Sequence, residues 1–449
     1  MLFMKILKFG GSSVGSTESL KIVKEIINDC IENNTKIIVV CSAFYSMTNL
    51  LQTIGNLSAI NNNQYINELN NFKLYNTSIL NSLNTNNKPE IITTINNLYH
   101  ELEKLIHHIF IQRNMDYKDK NKLLAFGEII SCNIIAFFLN ENNILAKYVD
   151  ASKLIKTKFY NETEEVDFDK SNLLINEFFS SYNYIPIVTG FIACDENEHI
   201  TTLGRGGSDY TASIIGAALN SEVIEIWTDV NGIMSVDPKF LPSSFSIEKV
   251  SYEDAIIFSK LGGKVIYTPT IYPAFRNGIP ILIKNTFNKN HPGTFITHKN
   301  SNEKKSNLIS ILDNIFMICI ENGSQKFDDI ENVNAFFKSL KINPILFYID
   351  NQDFYFIFNF SEINLECEII VNRLINYFND KEFKLSSKNQ ISLISITSIC
   401  DMNQLLNKVH SNNLIVLNYK TFELHTVIFV DKNNLTEFIT ILHNNFIHS

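Results

Sequence analysis

Short apolar runs alternate with amphipathic segments along the first two thirds of the chain. MKILKF (4–9) ends at Gly10-Gly11, an amphipathic segment follows from Ser16 to Asn33, and IIVVCSA (37–43) is the next apolar run. Buried parallel strands are continuous apolar runs, and helical patterns between them indicate βαβ units. The pattern therefore predicts an α/β fold, a three-layer αβα sandwich over residues 1–296. Residues 50–140 are mainly helical in pattern, and further strands are predicted at 145–150, 184–190, 222–228 and 280–285.

The pattern changes after a charged segment. HKNSNEKKSN (298–307) has no apolar periodicity, so a linker is predicted over 297–310. After it, the order strand, helix, strand, strand, helix occurs twice, at a repeat of about 78 residues. The repeat predicts two ferredoxin-like α+β modules over 311–449. The predicted elements are 314–321, 327–340, 343–350, 353–359 and 364–378, then 392–398, 401–410, 412–418, 424–430 and 433–445.

Composition narrows the possible functions. The chain has 38 basic and 47 acidic residues and a net charge of −9, whereas general nucleic-acid and anionic-membrane binders need clustered positive charge. The seven cysteines are scattered and never spaced as CxxC, which argues against a disulfide framework or a zinc site and favours a reducing cytoplasm. No apolar stretch approaches the roughly 18 residues of a membrane span, so the sequence predicts a soluble protein.

The first candidate site is a glycine turn after the first predicted strand, KFGGSSVGS (8–16). Glycines let backbone amides approach a polyphosphate, and a following helix N-terminus adds partial positive charge. Lys8 could reach a transferred phosphoryl group. The spacing is close to that of a P-loop, but Ser16 stands where the P-loop lysine belongs. Taken alone, the motif fits a plain strand-to-helix turn equally well.

A second glycine turn, TTLGRGGSDYT (201–211), surrounds Arg205. The planar guanidinium of arginine suits a carboxylate. Asp209 could orient a lysine or help to hold a metal ion. Helix capping by Ser208 or Asp209 would not explain three glycines around one arginine, so the functional interpretation is preferred.

Two later segments carry weaker signals. WTDVNGI (227–233), continuing to Asp237-Pro238-Lys239, lies at the predicted carboxyl edge of the sheet, where nucleotides bind in open α/β folds. As a plain turn, however, Asn231-Gly232 is common. The pairing Gly262-Gly263-Lys264-Val265 would, by itself, be a surface lysine beside a helix-ending glycine.

Polar residues also occur in apolar surroundings earlier in the chain. Ser42 and Thr48 follow the second predicted strand, and Glu128 lies in LLAFGEII. A lone helical glutamate usually faces solvent, but one with apolar neighbours needs a cationic partner or a ligand amine.

In this order, KFGGSSV, VCSAFYSMTNLL, FGEIIS, TTLGRGGSDYTA, WTDVNGI and GGKV closely resemble the motif series of the aspartate kinases. These enzymes have the amino-acid kinase fold, and the resemblance is closest to the monofunctional, lysine-sensitive type, over about residues 4–295. It implies transfer of the γ-phosphoryl group of MgATP to the β-carboxylate of L-aspartate, with Lys8 and Asp209 in the catalytic centre. The implied aspartate contacts are Ser42, Thr48, Glu128, Arg205, Gly206, Gly207 and Ser208. The implied ATP contacts are Lys8, Phe9, Gly10, Gly11, Thr228, Asp229, Met234, Lys239, Lys264 and Val265.

The chain departs from the family pattern at several positions. Ser12 replaces a usual threonine, Met234 a tyrosine and Lys239 an arginine, and KVIYTPT (264–270) replaces KVLHPAT. The C-terminal repeat resembles ACT domains, which in this family bind an amino-acid inhibitor at dimeric interfaces, so the resemblance implies a homodimer. Asn343-Pro344-Ile345-Leu346 stands in place of the polar inhibitor-binding run, so weakened or lost inhibition by lysine is expected.

The predicted nucleophile needs no general base, because a carboxylate with a reference pKa of about 3.9 is already ionised near neutral pH. No histidine lies in any of the motifs, which fits acyl-phosphate formation. Two alternatives stay open: another enzyme of the same fold, acting on glutamate, acetylglutamate or UMP, and a catalytically inactive amino-acid sensor. The preferred hypothesis requires Lys8, Glu128, Arg205 and Asp209 to converge at the carboxyl edge of the sheet.

Overall fold

The computed structural model describes residues 4–83, 88–160, 163–299, 307–321, 328–360, 367–377, 385–397 and 401–447. The chain forms two compact units. The first comprises Met1–Ile233, Ser246–Tyr252 and Val265–Ser301, and the second comprises Met234–Phe245, Glu253–Lys264 and Asn302–Ser449. The domain boundaries given above stay predictions, and Gly323 and most of the predicted linker lie outside the described residues.

The strands and helices of the described chain are bounded as follows. The strands of the first unit are β1 (Met4–Phe9), β2 (Lys36–Cys41), β3 (Ala146–Val149), β4 (Thr157–Tyr160), β5 (Thr163–Val166), β6 (Ile185–Thr189), β7 (Ile192–Cys194), β8 (Ile200–Thr202), β9 (Val223–Thr228), β10 (Lys249–Ser251), β11 (Ile281–Asn285) and β12 (Thr294–Thr297). Those of the second unit are β13 (Ile309–Ile320), β14 (Leu346–Asp350), β15 (Asp353–Asn359), β16 (Leu385–Ile396), β17 (Val416–Thr421) and β18 (Thr426–Asp431). The helices are α1 (Gly11–Val14), α2 (Thr17–Glu32), α3 (Met47–Ala59), α4 (Gln64–Ser82), α5 (Lys88–Gln112), α6 (Tyr117–Glu141), α7 (Phe168–Phe178), α8 (Gly207–Ala218), α9 (Tyr252–Lys260), α10 (Thr268–Asn277), α11 (Asp328–Ser339), α12 (Cys367–Tyr377), α13 (Met402–Ser411) and α14 (Leu435–Phe446).

The first unit is built on an eight-stranded sheet in the order β10-β12-β11-β9-β1-β2-β6-β3. Its neighbouring strands are parallel except for β11 and β12, which pair antiparallel. The strands predicted from apolar runs are confirmed as β1, β2, β3, β6, β9 and β11. The short strand pairs β4–β5 and β7–β8 and the short strands β10 and β12 were not predicted, because three or four residues are too few to show a period.

One apolar core of the first unit joins Leu7 and Phe9 of β1, Val39 of β2 and the buried sides of α2 to α6. Helix α6 is long and apolar enough to cross a membrane by composition alone. However, 78% of its most apolar stretch is buried inside the unit, as in the core helix of a folded domain.

The second unit contains a six-stranded antiparallel sheet in the order β14-β15-β13-β16-β18-β17. The element order β13-α11-β14-β15-α12, followed by β16-α13-β17-β18-α14, confirms the predicted repeat. The copies have separate cores: the first is rich in phenylalanine (Phe316, Phe337, Phe356), and the second is mainly aliphatic. Antiparallel pairing of β13 with β16 joins both copies into one sheet, which the repeat by itself did not indicate.

Candidate active site

The predicted catalytic residues Lys8 and Asp209 form an ion pair. Lys8 is near the carboxyl end of β1, between Val40 and Ile226 of the neighbouring strands, and Asp209 is in the first turn of α8. Lys8 Nζ lies 2.5 Å from a carboxylate oxygen of Asp209, and the two side chains are only 10% and 14% exposed. Because both side chains keep some contact with solvent, the Lys8 ammonium group can also contact a negatively charged ligand.

The first glycine turn lies directly beside Lys8. The Gly10 amide donates to the Trp227 carbonyl at 3.2 Å, and a Cβ atom at Gly10 would lie 3.3 Å from Lys8 Nζ. At Gly11, a Cβ atom would lie 3.0 Å from the Ala43 carbonyl oxygen. The turn therefore packs closely on the loop after β2. Phe9 is fully buried and stacks on Trp227 at 6.1 Å, so only its backbone is available to a ligand.

Glu128 is buried in α6 with one carboxylate oxygen unused. Its Oε1 accepts from the Ala43 amide at 3.1 Å, while Oε2 has no hydrogen-bond partner among the described residues. Burial raises the pKa of Glu128 to about 8, against the opposing effects of the Ala43 amide and the positive charge of Lys8. A buried polar atom without a partner indicates a missing ligand group, and here that group would be a hydrogen-bond donor or a cation.

The loop after β2 carries the predicted contacts Ser42 and Thr48. The Ser42 amide donates to the Phe9 carbonyl at 3.1 Å, and the Ser42 carbonyl accepts from Ser131 Oγ of α6 at 2.9 Å. Thr48 lies in the first turn of α3, where its Oγ1 would be 3.9 Å from a Cβ atom at Gly127. These contacts place both residues beside the segment that carries Glu128.

The second glycine turn has the left-handed backbone that glycine permits. Gly204 has φ 71° and Gly206 has φ 65°, and Gly206 is the residue immediately before α8. The Arg205 side chain is exposed, whereas Ser208 is buried, with its Cβ and Oγ 2.5 Å from where a Cβ atom at Gly190 would lie. Arg205 is therefore free to meet a ligand on the same turn that supplies Asp209.

Two aromatic residues that pack on this turn were not predicted as site residues. A Cβ atom at Gly206 would lie 2.4 Å from Tyr267 Cβ, and one at Gly207 would lie 2.7 Å from the Phe191 ring. Phe191 itself has φ 69°, which is uncommon for a bulky residue. The one available signal in the sequence was the departure KVIYTPT, which contains Tyr267.

Thr228 and Asp229 lie at the carboxyl end of β9, as predicted for nucleotide contacts. Thr228 Oγ1 donates to Asp229 Oδ1 at 3.2 Å on an exposed surface. The next turn is held by an asparagine pair, because Asn285 Nδ2 donates to Asn231 Oδ1 at 2.9 Å. Gly232, with φ 113°, completes the turn. Asn285 was not predicted, although it ends a predicted strand.

The remaining predicted ATP contacts are divided between the units. Val265 belongs to the first unit, whereas Met234, Lys239 and Lys264 belong to the second. Within the second unit, Met234 is followed by the fully buried Ser235, whose Oγ lies 2.9 Å from His443 Nε2 of α14. The site described above is therefore assembled within the first unit from Lys8, Ser42, Thr48, Glu128, Arg205 to Asp209, Thr228 and Asp229.

The described residues contain no cluster of three or more His, Cys, Asp or Glu side chains placed to hold a metal ion. Asp209, in the first turn of α8, and Asp229, directly after β9, each provide a carboxylate. Mg²⁺ usually keeps several waters and is held by one or two carboxylates plus substrate phosphates, not by a cage of protein ligands. The residues present therefore fit a magnesium ion that arrives with a nucleotide.

Comparison with known proteins gives consistent matches. The sequence model of the amino acid kinase family matches residues 4–285. The bifunctional aspartokinase/homoserine dehydrogenase of Buchnera aphidicola is 28% identical over 98% of this chain and 56% of its own length. The aspartokinase of Rickettsia felis is 26% identical over 98% of each chain. This chain thus spans about half the length of the first relative and nearly all of the second.

A solved structure shows the same fold. The crystal structure of E. coli aspartokinase III in complex with aspartate and ADP matches with a TM-score of 0.83 and 20% identity, over 99% of each chain. The predicted architecture, an αβα sandwich followed by two ferredoxin-like modules, is confirmed by this likeness and by the strand order of both sheets.

Proposed function

Because this chain belongs to the amino acid kinase family, we propose that it is an aspartate kinase. It transfers the γ-phosphoryl group of MgATP to the β-carboxylate of L-aspartate and gives 4-phospho-L-aspartate. This product is the first intermediate toward lysine, threonine and methionine. The names of these two relatives, which match over 98% of this chain, support the proposal, and the resemblance to aspartate kinases noted in the motifs is confirmed.

The observation that carries the proposal is the unused oxygen of Glu128. A buried carboxyl whose pKa is about 8 is costly to ionise, and Lys8 is the cation whose charge acts on it. The ammonium group of an amino-acid substrate would supply both the missing donor and the missing charge. A substrate without an ammonium group, such as UMP, would leave the oxygen without a partner.

Lys8 and the amides at the start of α1 stabilise the charge that develops on the transferred phosphoryl group. Phosphoryl transfer needs alignment and charge neutralisation more than covalent participation by the protein. Asp209 holds the Lys8 ammonium in place through the 2.5 Å contact. No side chain has to remove a proton, because the attacking β-carboxylate is already ionised.

Arg205 binds the α-carboxylate of aspartate. Its guanidinium can make two parallel hydrogen bonds to a carboxylate, and its position on an exposed glycine turn leaves it open to solvent. Arg205 binds the α-carboxylate and Glu128 binds the α-ammonium group of the substrate. The side-chain carboxylate therefore remains available for phosphorylation.

Asp209 and Asp229 are the residues that would face Mg²⁺ bound to ATP. The ion, when bound, neutralises charge on the β- and γ-phosphates. Thr228 Oγ1, beside Asp229, is placed to contact the nucleotide. Phe9 to Gly11, Met234, Lys239, Lys264 and Val265 complete the proposed ATP contacts, with Phe9 acting through its backbone.

The proposal extends to assembly and location. We propose a homodimer formed through the ACT-like modules, on the resemblance of the repeat to ACT domains. We also propose weakened or lost inhibition by lysine, because Asn343-Pro344-Ile345-Leu346 stands in place of the polar inhibitor-binding run. The cysteines that the structure describes are free thiols, including Cys41 and Cys132, which fits a reducing cytoplasm.

The test is a hydroxamate assay with ATP and Mg²⁺ over a substrate panel. We expect ADP release and acyl-hydroxamate formation with L-aspartate, and less than about 1% of that rate with glutamate, acetylglutamate or UMP. Turnover of UMP or acetylglutamate in preference to aspartate would assign a different activity of the same fold. A protein that binds aspartate without any ATP turnover would be a sensor instead.

A further inference from the structure

Tyr267 lies directly against the glycine turn that carries Arg205. A Cβ atom at Gly206 would lie 2.4 Å from Tyr267 Cβ, 2.8 Å from its Cγ and 2.9 Å from its Cδ1. These distances are too short for any side chain at position 206, and Gly206 also has φ 65°. The base of the Tyr267 ring therefore covers one side of the turn, and the close approach depends on the glycine.

Helix α10 holds Tyr267 in this position. Tyr267 is the residue before the helix, and its carbonyl accepts from the Thr270 amide at 3.0 Å. Ile266 before it is 4% exposed, and Ile271 in the helix is fully buried. Tyr267 therefore lies at the start of a helix between buried residues of the sequence, which anchor its backbone.

The other side of the same turn is covered by Phe191. A Cβ atom at Gly207 would lie 2.7 Å from Cδ2 of the Phe191 ring. The Phe191 amide donates to Thr211 Oγ1 at 3.0 Å, and the Leu203 amide donates to the Phe191 carbonyl at 2.8 Å. Two aromatic side chains therefore pack on neighbouring glycines of the turn, and the Arg205 side chain stays exposed.

Tyr267 also lies near Tyr210, at the start of α8. Burial raises the pKa of Tyr210 to about 12, an effect opposed by the positive charge of Arg276 and reinforced by Glu165 and Tyr267. Tyr210 immediately follows Asp209 in α8, and Arg276 lies in α10. The position of Tyr267 is thus linked to both helices that flank the turn.

We propose that Tyr267 is a positioning residue for aspartate binding, which restricts the Arg205 turn so that the guanidinium meets the α-carboxylate in one orientation. The proposal rests on the proposed function of the chain. The Tyr267 atoms nearest the turn are Cβ, Cγ and Cδ1, so ring packing and not the hydroxyl carries the effect. This residue lies in KVIYTPT, where the resembled family usually has a histidine.

The experiment measures steady-state kinetics of three variants with aspartate and ATP varied separately. Tyr267→Ala is expected to raise KM for aspartate about tenfold, while kcat and KM for ATP stay within about twofold. Tyr267→Phe keeps the ring and is expected to retain KM for aspartate within about twofold. Tyr272→Ala is the matched control, because Tyr272 lies in the same helix and is 38% exposed, and it is expected to change neither KM.

A merely structural role predicts a different result. It would raise both KM values, or lower the yield of folded protein, without favouring aspartate. If Tyr267→Ala does not fold, Tyr267→Leu is measured instead, because leucine keeps Cβ and Cγ but lacks the ring. Its KM for aspartate is expected to rise about threefold.

An unchanged KM for aspartate in a folded Ala or Leu variant, or an equal rise in both KM values, overturns the role of Tyr267 and leaves the proposed function intact. Absence of aspartate turnover in the unmodified protein overturns the proposed function and this inference with it.

Discussion

Strand β1 carries two lysines that form buried ion pairs on opposite faces of the same sheet. Lys5 Nζ lies 2.8 Å from Glu225 Oε1, and Lys8 Nζ lies 2.5 Å from Asp209. In the first pair, the second carboxylate oxygen of Glu225 accepts from the Trp227 indole at 3.0 Å. Both oxygens of Glu225 are therefore satisfied within the protein, as in a structural pair.

The surroundings of Lys8 are different. Gly10 lies against its ammonium group, and the nearby Glu128 keeps one buried oxygen without a partner among the described residues. The two lysines of β1 therefore differ in their surroundings. Around Lys5 the carboxylate oxygens of Glu225 all have partners, whereas near Lys8 one carboxylate oxygen of Glu128 has none. Unsatisfied buried polar atoms are costly in a folded protein, so the Glu128 oxygen indicates that a ligand binds near Glu128 and Lys8.

A cavity lies on the other face of the sheet. A cavity of about 260 Å³ lies beside the Lys5 pair and is lined by Glu225, Trp227 and Lys289, among other residues. Two of its lysines are paired with carboxylates, since Lys289 Nζ lies 3.2 Å from Asp29 and Lys5 is paired with Glu225. Lys284 Nζ lies 4.9 Å from the centre of the Trp227 ring. The unpaired oxygen of Glu128 near Lys8 is therefore a better guide to the site than this cavity.

The largest expected difference between the two ion pairs is in kcat after each lysine is replaced by alanine. Lys8→Ala is expected to lower kcat by on the order of 10³-fold, because the developing phosphoryl charge loses its stabilising cation. Lys5→Ala, the matched control, is expected to keep kcat within about threefold. Circular dichroism and thermal unfolding should show that both variants are folded. Near-normal turnover of Lys8→Ala would refute the assignment of Lys8.

The pKa of Glu128 predicts how stability depends on pH without ligand. The pKa in the folded protein is about 8, above the ordinary value of 4.5, so between these values the unfolded state binds fewer protons than the folded state. The free energy of unfolding is therefore expected to fall as pH rises from about 5 to about 8, by up to about 1.4 kcal/mol per pH unit. Urea unfolding at several pH values measures this slope, and Glu128→Gln should remove it. Equal slopes in the two proteins would contradict the raised pKa.

The same substitution tests the substrate contact. Glu128→Gln is expected to raise KM for aspartate by about 10- to 100-fold, because a charge-assisted hydrogen bond to the substrate ammonium is lost. KM for ATP is expected to change by less than about threefold. Isothermal titration with aspartate would check the loss of binding directly. Unchanged affinity for aspartate would show that the ammonium binds elsewhere.

The smallest expected effect concerns the structural pair. Glu225→Gln keeps an acceptor for the Trp227 indole but weakens the contact with Lys5, so the free energy of unfolding is expected to fall by about 1 kcal/mol. Turnover should stay within about twofold of the unmodified protein. Chemical denaturation and the hydroxamate assay give the two measurements. A large loss of activity at unchanged stability would move the functional site to the Lys5 face.

The interior strands, the glycine turn and the C-terminal repeat could be predicted from the sequence, because each depends on residues close together in the chain. Apolar runs such as 37–43 and 222–228 can be buried on both faces only as interior strands, and they are β2 and β9. The glycines around Arg205 predict a turn that other residues cannot adopt, and Gly204 and Gly206 have positive φ. The repeated element order of the C-terminal modules was visible because each copy needs its own amphipathic helices and strands.

Other features depend on packing between residues far apart in the chain. The sequence does not show that β13 pairs with β16, or that residues 234–245 fold with the second unit. The glycine turn marks Lys8 in the sequence, but the sequence does not show that Lys5 pairs with Glu225. Only the tertiary structure shows that Glu128 has an unused oxygen and that Tyr267 covers Gly206. Hydrophobic periodicity and turn preferences depend on a few neighbouring residues, so the sequence shows them directly. Whether a buried charged group has hydrogen-bond partners depends on every element that packs around it.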